Sequence, residues 1–499
     1  MSTSSTASSS SASPSHRRAS SVDGPSSNPD DDRAARRRRL SSSGSGGQPK
    51  PLRRSDTLGQ LAAILSDDYI GESKPLLLAV PVAVAVSLVP RVPAALVFLL
   101  NGAAMVPLAA LNILIVLTLT KNARAWGGLF RAIGGNSTEF IISAVALTYG
   151  ESALVQQTMI GIIVNYALLV RENPHRRVPT NDITNGITHT KGMQVLGGSF
   201  LHASYGKKDA VFSKSRTSIM SSLVMVTSFC LVIPTVMSLT TSAEGLDSPE
   251  AIDRGILNLS HMTATALVLL FFTYLSFRFV THGQFFPVNP GAAQFNPDSR
   301  TNTQLGPKPP AAAAAVGPSA LGVGLLGSLG CTVVCAAFLL RSMDAAAQSL
   351  RITKTFIAFV VLPLLVSSAK SVSIIRHARP EEAGGSTYMS RLDFAIRSVM
   401  TNVLDTLLFN IPLLVFVAWG LNQPMVLVFG LFDAVVFVLS VTIMTFLIRY
   451  GKTTYFEGCM LMGTYLSMGI VFFVRPDVAH TIRPTQEFIL QGSPQASGL

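Results

Sequence analysis

The chain has 499 residues, of which 48% are hydrophobic and only 13% are charged, and its mean hydropathy is +0.43. Soluble domains carry about 25% charged residues, so this composition excludes a water-soluble globular protein and indicates a membrane protein. The net charge of +12 would suggest nucleic-acid binding in a polar protein, but here membrane lipid is the expected partner and nucleic acid is not. The cysteines all lie in apolar segments, which excludes a secreted, disulfide-linked protein: they are Cys230, Cys331, Cys335 and Cys459.

The first 74 residues differ in composition from the rest of the chain. They are rich in Ser, Gly and Pro and contain the basic run Arg36–Arg39. Because so few apolar side chains cannot offset the entropy of ordering, residues 1–74 are predicted to form a disordered basic tail. They are not a signal peptide, since no apolar region follows the first charges. Residues 475–499 are predicted to form a second tail.

Eleven apolar segments follow the tail, most of them as long as the roughly 17–25 residues that cross a bilayer core. Backbone groups in lipid must be hydrogen-bonded internally, so each segment is predicted to be a helix. The chain is therefore predicted to be an all-α polytopic membrane protein with about 11 transmembrane helices. The segments cover about 75–89, 94–120, 126–148, 153–170, 217–239, 257–280, 319–340, 353–376, 392–419, 424–449 and 453–474.

Loop charges predict the orientation. Residues 171–216 hold eight Lys and Arg against three acidic residues, whereas residues 240–256 hold one Arg against four acidic residues. Positively charged loops face the cytosol. The N-terminal tail is therefore predicted to be cytosolic, and after eleven crossings the C-terminus lies on the lumenal or external side.

Setting the first helix aside leaves two groups of five helices, 94–280 and 319–474. Because five is odd, the two groups have opposite orientations, which is the usual architecture of secondary transporters with a site where the repeats meet. The predicted organisation is the first helix plus the first repeat over 75–280, a cytosolic linker over 281–318, and the second repeat over 319–474.

The third segment contains Gly134, Gly135, Asn136 and Glu139. Paired glycines loosen a helix, and Asn136 and Glu139 share one face, so an amide oxygen and a carboxylate lie side by side as ligands for a cation. An ionisable residue within a membrane segment is a functional candidate. The alternative is a glycine packing contact beside a protonated glutamate.

At these residues the sequence resembles the cation/proton exchanger family of the calcium/cation antiporter superfamily. Residues 135–139 match the family motif Gly-Asn-x-x-Glu, and residues 161–165 partly match Gly-Ser-x-x-x-Asn, with Ile162 in place of Ser. The resemblance covers about residues 75–475. Further family-like stretches are 257–261 with 281–282, 354–357 with 362–363, 423–425, 432–433 and 456–458.

The resemblance implies an antiporter with eleven helices, often vacuolar, that exchanges cytosolic Ca²⁺ for lumenal protons. It implies no enzymatic reaction and no cofactor beyond the transported cation and protons. One acidic residue from each repeat would hold the cation, and Glu139 is the first. Asp433 and Glu457 also match family positions, although helix-end or inter-helix pairing explains them equally well.

The second repeat departs from the family pattern. Where the family has Gly-Asn-Ala-Ala-Glu-His, residues 366–371 place Ser367 at the Asn position, Lys370 at the acidic position and Ser371 at the His position. One helix later, Asp405 stands where the family has glutamine and corresponds to Asn165 of the first repeat.

These matches define a candidate site. We expect Glu139 and Asp405 to contact the cation, with Asn136, Asn165 and Ser367 as further ligands, whereas three basic residues alter its selectivity: Lys370, Arg131 and Arg397. Arg131 and Arg397 each stand eight residues before an acidic site residue, hence on the same side of the helix.

The role of Lys370 has two interpretations. Its ammonium can replace a bound cation by pairing with Glu139 or Asp405, or it can extend to the cytosolic end near Arg376. The reduced negative charge favours a monovalent ion over Ca²⁺. The chain is predicted to be a cation/proton antiporter of a vacuolar or other endomembrane, or a transport-inactive paralogue that regulates or assembles with an active exchanger.

Overall fold

A computed structural model of the protein describes residues 74–120, 125–168, 200, 210–212, 214–244, 249–281, 317–377 and 391–475. All of them belong to one compact unit. Apart from Lys74 and Arg475, the predicted tails lie outside these residues, as do most of the loop 171–216 and most of the linker.

The described residues are almost entirely helical, as the membrane interpretation requires. The helices are α1 Lys74–Leu77, α2 Ala79–Leu88, α3 Ala94–Leu119, α4 Ala125–Gly135, α5 Ser137–Thr148, α6 Ser152–Leu168, α7 Lys214–Glu244, α8 Pro249–Ser276, α9 Pro318–Leu350, α10 Lys354–Phe356, α11 Leu362–His377, α12 Arg391–Asp405, α13 Ile411–Gly420, α14 Leu431–Arg449 and α15 Tyr455–Val474. Short π-helical turns cover Phe277–Thr281, Ile357–Val361 and Thr406–Asn410. Strands β1 Ala210–Val211 and β2 Lys452–Thr453 pair antiparallel.

Seven of the helical stretches are long and apolar enough to cross a membrane, and four shorter ones are also apolar. Large apolar side chains on these helices point outward: Leu326 is 72% exposed and Leu269 is 64% exposed. Such a surface suits lipid and is unusual in water. The helical membrane fold is therefore confirmed, and the eleven crossings and the repeat arrangement stay predictions.

Three helix boundaries differ clearly from the predicted segments. The segment predicted from 257 begins at Pro249, and the one predicted to end at 340 continues to Leu350. Both extensions are polar, and hydropathy marks only the apolar part of a helix. The segment predicted from 424 becomes helical only at Leu431, because residues 421–430 form a mostly apolar, non-helical connection.

Three helices supply hydrogen-bonding groups to this non-helical connection. The Ser260 hydroxyl accepts from Leu427 N at 2.9 Å, and the Thr235 hydroxyl accepts from Phe429 N at 3.1 Å. Gln156 Nε2 donates to Val426 O at 2.5 Å. Buried backbone groups outside a helix need such partners, so these side chains hold the connection against the helices.

Removing the two hydroxyls is expected to destabilise the protein. In the variants Ser260→Ala and Thr235→Val, a buried N–H loses its partner, at a cost of about 1–3 kcal/mol each. The measurement is the thermal unfolding midpoint of the purified protein in detergent. Thr265→Val is the control, because its exposed hydroxyl bonds only to His261 O of its own helix. Midpoints equal to that of the control would show that the hydroxyls do not hold the connection.

Ion pairs and caps lie at the ends of several helices. Lys354 Nζ lies 2.7 Å from Glu151 Oε1 and 3.1 Å from Asp344 Oδ1. Asp433 Oδ1 accepts from Arg475 Nη1 at 3.2 Å. Glu457 forms a capping box with Thr454 at the start of α15. The helix-end interpretation of residues 433 and 457 therefore has structural support.

Candidate functional site

The helix predicted over 126–148 is broken at Asn136. Helix α4 ends at Gly135 and α5 begins at Ser137, while Asn136 between them has φ −107° and ψ 13°. Two glycines weaken the helix, and Asn136 Nδ2 donates to the Ala132 carbonyl at 2.9 Å. The break leaves the amide oxygen of Asn136 available to a partner from another helix.

That partner is Lys370 of α11. Its ammonium donates a hydrogen bond to Asn136 Oδ1, and its Nζ lies 2.5 Å from Glu139 Oε1. Lys370 is 6% exposed and Glu139 is 2% exposed. The structure therefore brings Lys370 to the motif of the third segment as a buried ion pair, away from the surface position that the alternative interpretation requires.

A second contact joins α6 to α11 beside this pair. Asn165 Nδ2 donates to the Ser367 hydroxyl, and Ser367 in turn donates to Pro363 O. Both side chains are fully buried. At Gly161, α6 approaches the start of α11 and the π-helical turn before it so closely that a Cβ would lie 2.3 Å from Phe359 O. A glycine is therefore required at this crossing.

Asp405, at the end of α12, is 6% exposed. It interacts electrostatically with Arg278 and with Lys370. Arg278 is itself fixed by a 2.9 Å hydrogen bond from Nη1 to the Tyr274 hydroxyl. The acid of the second half therefore faces two positive groups.

Arg131 and Glu139, which are expected to share one side of a helix, differ in burial. Arg131 is exposed whereas Glu139 is buried, and Arg131 interacts electrostatically with Arg278. The spacing of eight residues places two side chains together only in a continuous helix, and this helix is broken at Asn136. Arg397 is half-buried in α12, which is continuous up to Asp405.

Several site residues were not identified from the sequence. Tyr166 is fully buried and interacts electrostatically with Glu139, and its ring centroid lies 6.0 Å from Lys370 Nζ. Ser143 stands one turn after Glu139, and that spacing could have identified it. Arg278 lies inside the apolar segment 257–280, so its charge within a membrane helix was the missed signal.

Buried oxygens without partners also lie on α5 and α6. Ser143 Oγ and Asn165 Oδ1 have no hydrogen-bond partner among the described residues. Buried polar atoms are normally satisfied, so these two oxygens are available to bind a ligand. Hard cations prefer such oxygen ligands. No group of three or more His, Cys, Asp or Glu is gathered in the described part of the chain, so any cation would be held by a mixed set of oxygens.

Two solved structures share the fold. Native YfkE has a TM-score of 0.58 at 20% identity, with 80% of this chain and 100% of that chain covered. The H⁺/Ca²⁺ exchanger CAX has a TM-score of 0.53 at 13% identity, covering 88% of this chain and 92% of that one. The chain therefore shares the helical membrane fold of these two proteins.

Sequence comparisons relate the chain to known ion exchangers. Residues 320–474 match the family model for sodium/calcium exchanger proteins. The vacuolar cation/proton exchanger 2 of rice is 24% identical over 355 residues, which are 70% of this chain and 69% of that protein. A Ca²⁺/H⁺ antiporter of Synechocystis is 26% identical, with 76% and 91% covered, and a vacuolar calcium ion transporter of Schizosaccharomyces pombe is 25% identical, with 76% and 79% covered. Over about three quarters of its length the chain is therefore similar to proteins named cation/proton exchangers and Ca²⁺/H⁺ antiporters.

Proposed function

We propose that this protein is a secondary active cation/proton antiporter whose central ion carrier is Glu139. The observation that carries the proposal is the buried Glu139 carboxylate, which contacts Lys370 of the second half of the chain. Relatives named cation/proton exchangers and Ca²⁺/H⁺ antiporters support it.

Burial explains why a cation and a proton would exchange at Glu139. A carboxylate that is 2% exposed cannot keep its charge uncompensated, because isolated buried charges cost several kcal/mol. The ammonium of Lys370 compensates it in the structure. A transported cation or a proton would compensate it when Lys370 withdraws, and the two exclude each other. Asn165 Oδ1 and Ser143 Oγ would complete the oxygen ligands.

The transported ion is proposed to be monovalent. Lys370 opposes Glu139, and Arg278 lies near Asp405, so the site has little net negative charge for Ca²⁺. At an effective dielectric constant of 20, an ammonium about 4 Å from an ion repels each unit charge by roughly 4 kcal/mol, and a divalent ion by twice as much. The cation and protons are the substrates, and no resident cofactor is part of the proposal.

The same ion pair favours a second candidate function. If Lys370 never leaves Glu139, the site stays filled and the chain is a transport-inactive paralogue that regulates or assembles with an active exchanger. This candidate predicts no exchange of any cation by the wild-type protein.

The proposed topology has eleven crossings, a cytosolic N-terminus and a lumenal C-terminus in a vacuolar or other endomembrane. Contacts between helix ends support the alternation of sides. Ala210 pairs with Thr453 at one predicted side, and Lys354 pairs with Glu151 at the other. The vacuolar assignment is supported by the names of relatives.

The test is proton-driven uptake of Ca²⁺, Na⁺ and Rb⁺ into proteoliposomes containing the full chain. In Glu139→Gln we expect the flux to fall about tenfold or more, because a bond to a charged group contributes about 1.5–3 kcal/mol. Glu457→Gln is the matched control, since glutamine preserves the capping box at that helix start. Equal flux in wild type and Glu139→Gln would refute the proposal, and absence of flux in the wild type would favour the second candidate.

A further inference from the structure

We infer that Lys370 determines specificity at this site, because its ammonium takes the position that a divalent cation would occupy between Glu139 and Asn136. The inference rests on the proposed function, which makes this the cation site. It adds that the chain itself supplies a tethered cation, and that removing this charge creates a binding site for Ca²⁺.

The Lys370 ammonium contacts two oxygens of different chemical type. The ammonium hydrogen-bonds Asn136 Oδ1 and lies 2.5 Å from Glu139 Oε1, so it contacts one amide oxygen and one carboxylate oxygen. These are oxygens that a hard cation uses as ligands. An ammonium has only donors, so it satisfies the same oxygens as a metal ion does.

The surroundings of the ammonium are buried. Lys370 is 6% exposed, and its Nζ lies 6.0 Å from the ring centroid of the fully buried Tyr166. A second cation at Glu139 would therefore share a confined space with the ammonium. Coulomb repulsion acts twice as strongly on a divalent ion as on a monovalent one, so the tethered charge selects against Ca²⁺.

The charge of Lys370 also reaches the second acid. Asp405 interacts electrostatically with Lys370 as well as with Arg278. One ammonium therefore affects both carboxylates of the candidate site. Neutralising it would leave Glu139 without its partner and Asp405 with a weaker positive field, which is the condition under which a divalent cation binds.

The experiment is a thermal unfolding titration of the purified full chain in detergent with CaCl₂, using MgCl₂ and NaCl as comparison salts. A ligand that binds only the folded state raises the unfolding midpoint with its concentration. We expect no Ca²⁺-specific rise for wild type and a concentration-dependent rise for Lys370→Gln, corresponding to at least about tenfold tighter binding. Lys370→Met is the second variant, should glutamine fail to fold.

Two controls assign the effect to the site. Lys354→Gln removes the charge of a paired lysine whose side chain is 31% exposed. This variant should gain no Ca²⁺ response. The double variant Glu139→Gln/Lys370→Gln should lose the response gained by Lys370→Gln, because the carboxylate ligand is gone.

The outcomes separate this inference from the proposed function. A folded Lys370→Gln protein with no more Ca²⁺ response than wild type overturns the inference, and Glu139-dependent exchange by wild type would still support the function. Wild type without exchange, together with a Ca²⁺ response in Lys370→Gln, overturns the function and supports the inference. A Ca²⁺-specific response in wild type equal to that of Lys370→Gln also overturns the inference.

Discussion

Gly161→Ala is expected to destabilise the folded protein by about 3 kcal/mol, at the upper end of the range for overpacking a tight interior. A Cβ at this position would lie 2.3 Å from the Phe359 carbonyl oxygen and 2.8 Å from Pro363 Cγ. Neither obstacle is the flexible end of a side chain, so the two helices must separate. Separation would also stretch the bond between Asn165 and Ser367, which lies one turn further along both helices.

The measurement is the thermal unfolding midpoint in detergent, with the monodisperse fraction in size-exclusion chromatography as a second readout. Gly330→Ala in α9 is the matched control, since no atom lies within 4 Å of its added Cβ. Alanine there should stabilise the helix by up to about 1 kcal/mol through its higher helix propensity. Equal midpoints for the two variants would show that the close approach of α6 to residues 359–363 does not exist.

The helical membrane fold could be predicted because lipid imposes a simple rule. An apolar stretch of membrane length must be helical, so hydropathy located the helices within the described ranges. The rule failed at residues 424–430, where the mostly apolar segment is not helical. There the hydroxyls of Thr235 and Ser260 replace the helical hydrogen bonds, and no local pattern at residues 424–430 indicates partners so distant in sequence.

The candidate site was predictable as a set of residues but not as a set of contacts. The Gly-Gly-Asn pattern indicated a loosened helix, and the structure breaks it at Asn136. Two positions for Lys370 were compatible with the sequence, because a residue pattern does not show which helices pack beside residue 370. The expected spacing of Arg131 and Glu139 assumed an unbroken helix, so their shared side stays a prediction. That the predicted ligands bind a cation stays a prediction.

Replacing either Glu139 or Lys370 alone is expected to cost about 3–5 kcal/mol of folding stability, because it breaks their ion pair. Removing both charges together should cost far less. The reason is burial, since the two side chains are 1% and 7% exposed. Glu139→Leu leaves a buried ammonium without its carboxylate, and Lys370→Met leaves a buried carboxylate without its ammonium. The double variant leaves neither, and apolar side chains often pack at such positions with little loss.

A double-mutant cycle on thermal unfolding midpoints in detergent measures this coupling. The pair Lys354 and Glu151 is the matched control, because its atoms lie 2.7 Å apart but the side chains are 31% and 38% exposed. Its coupling should stay below about 1 kcal/mol. Additive losses at Glu139 and Lys370 would contradict the buried pair. A large coupling would mean that the wild-type fold already compensates the charge of Glu139 internally, so a transported cation must compete with Lys370 for a carboxylate that is not vacant.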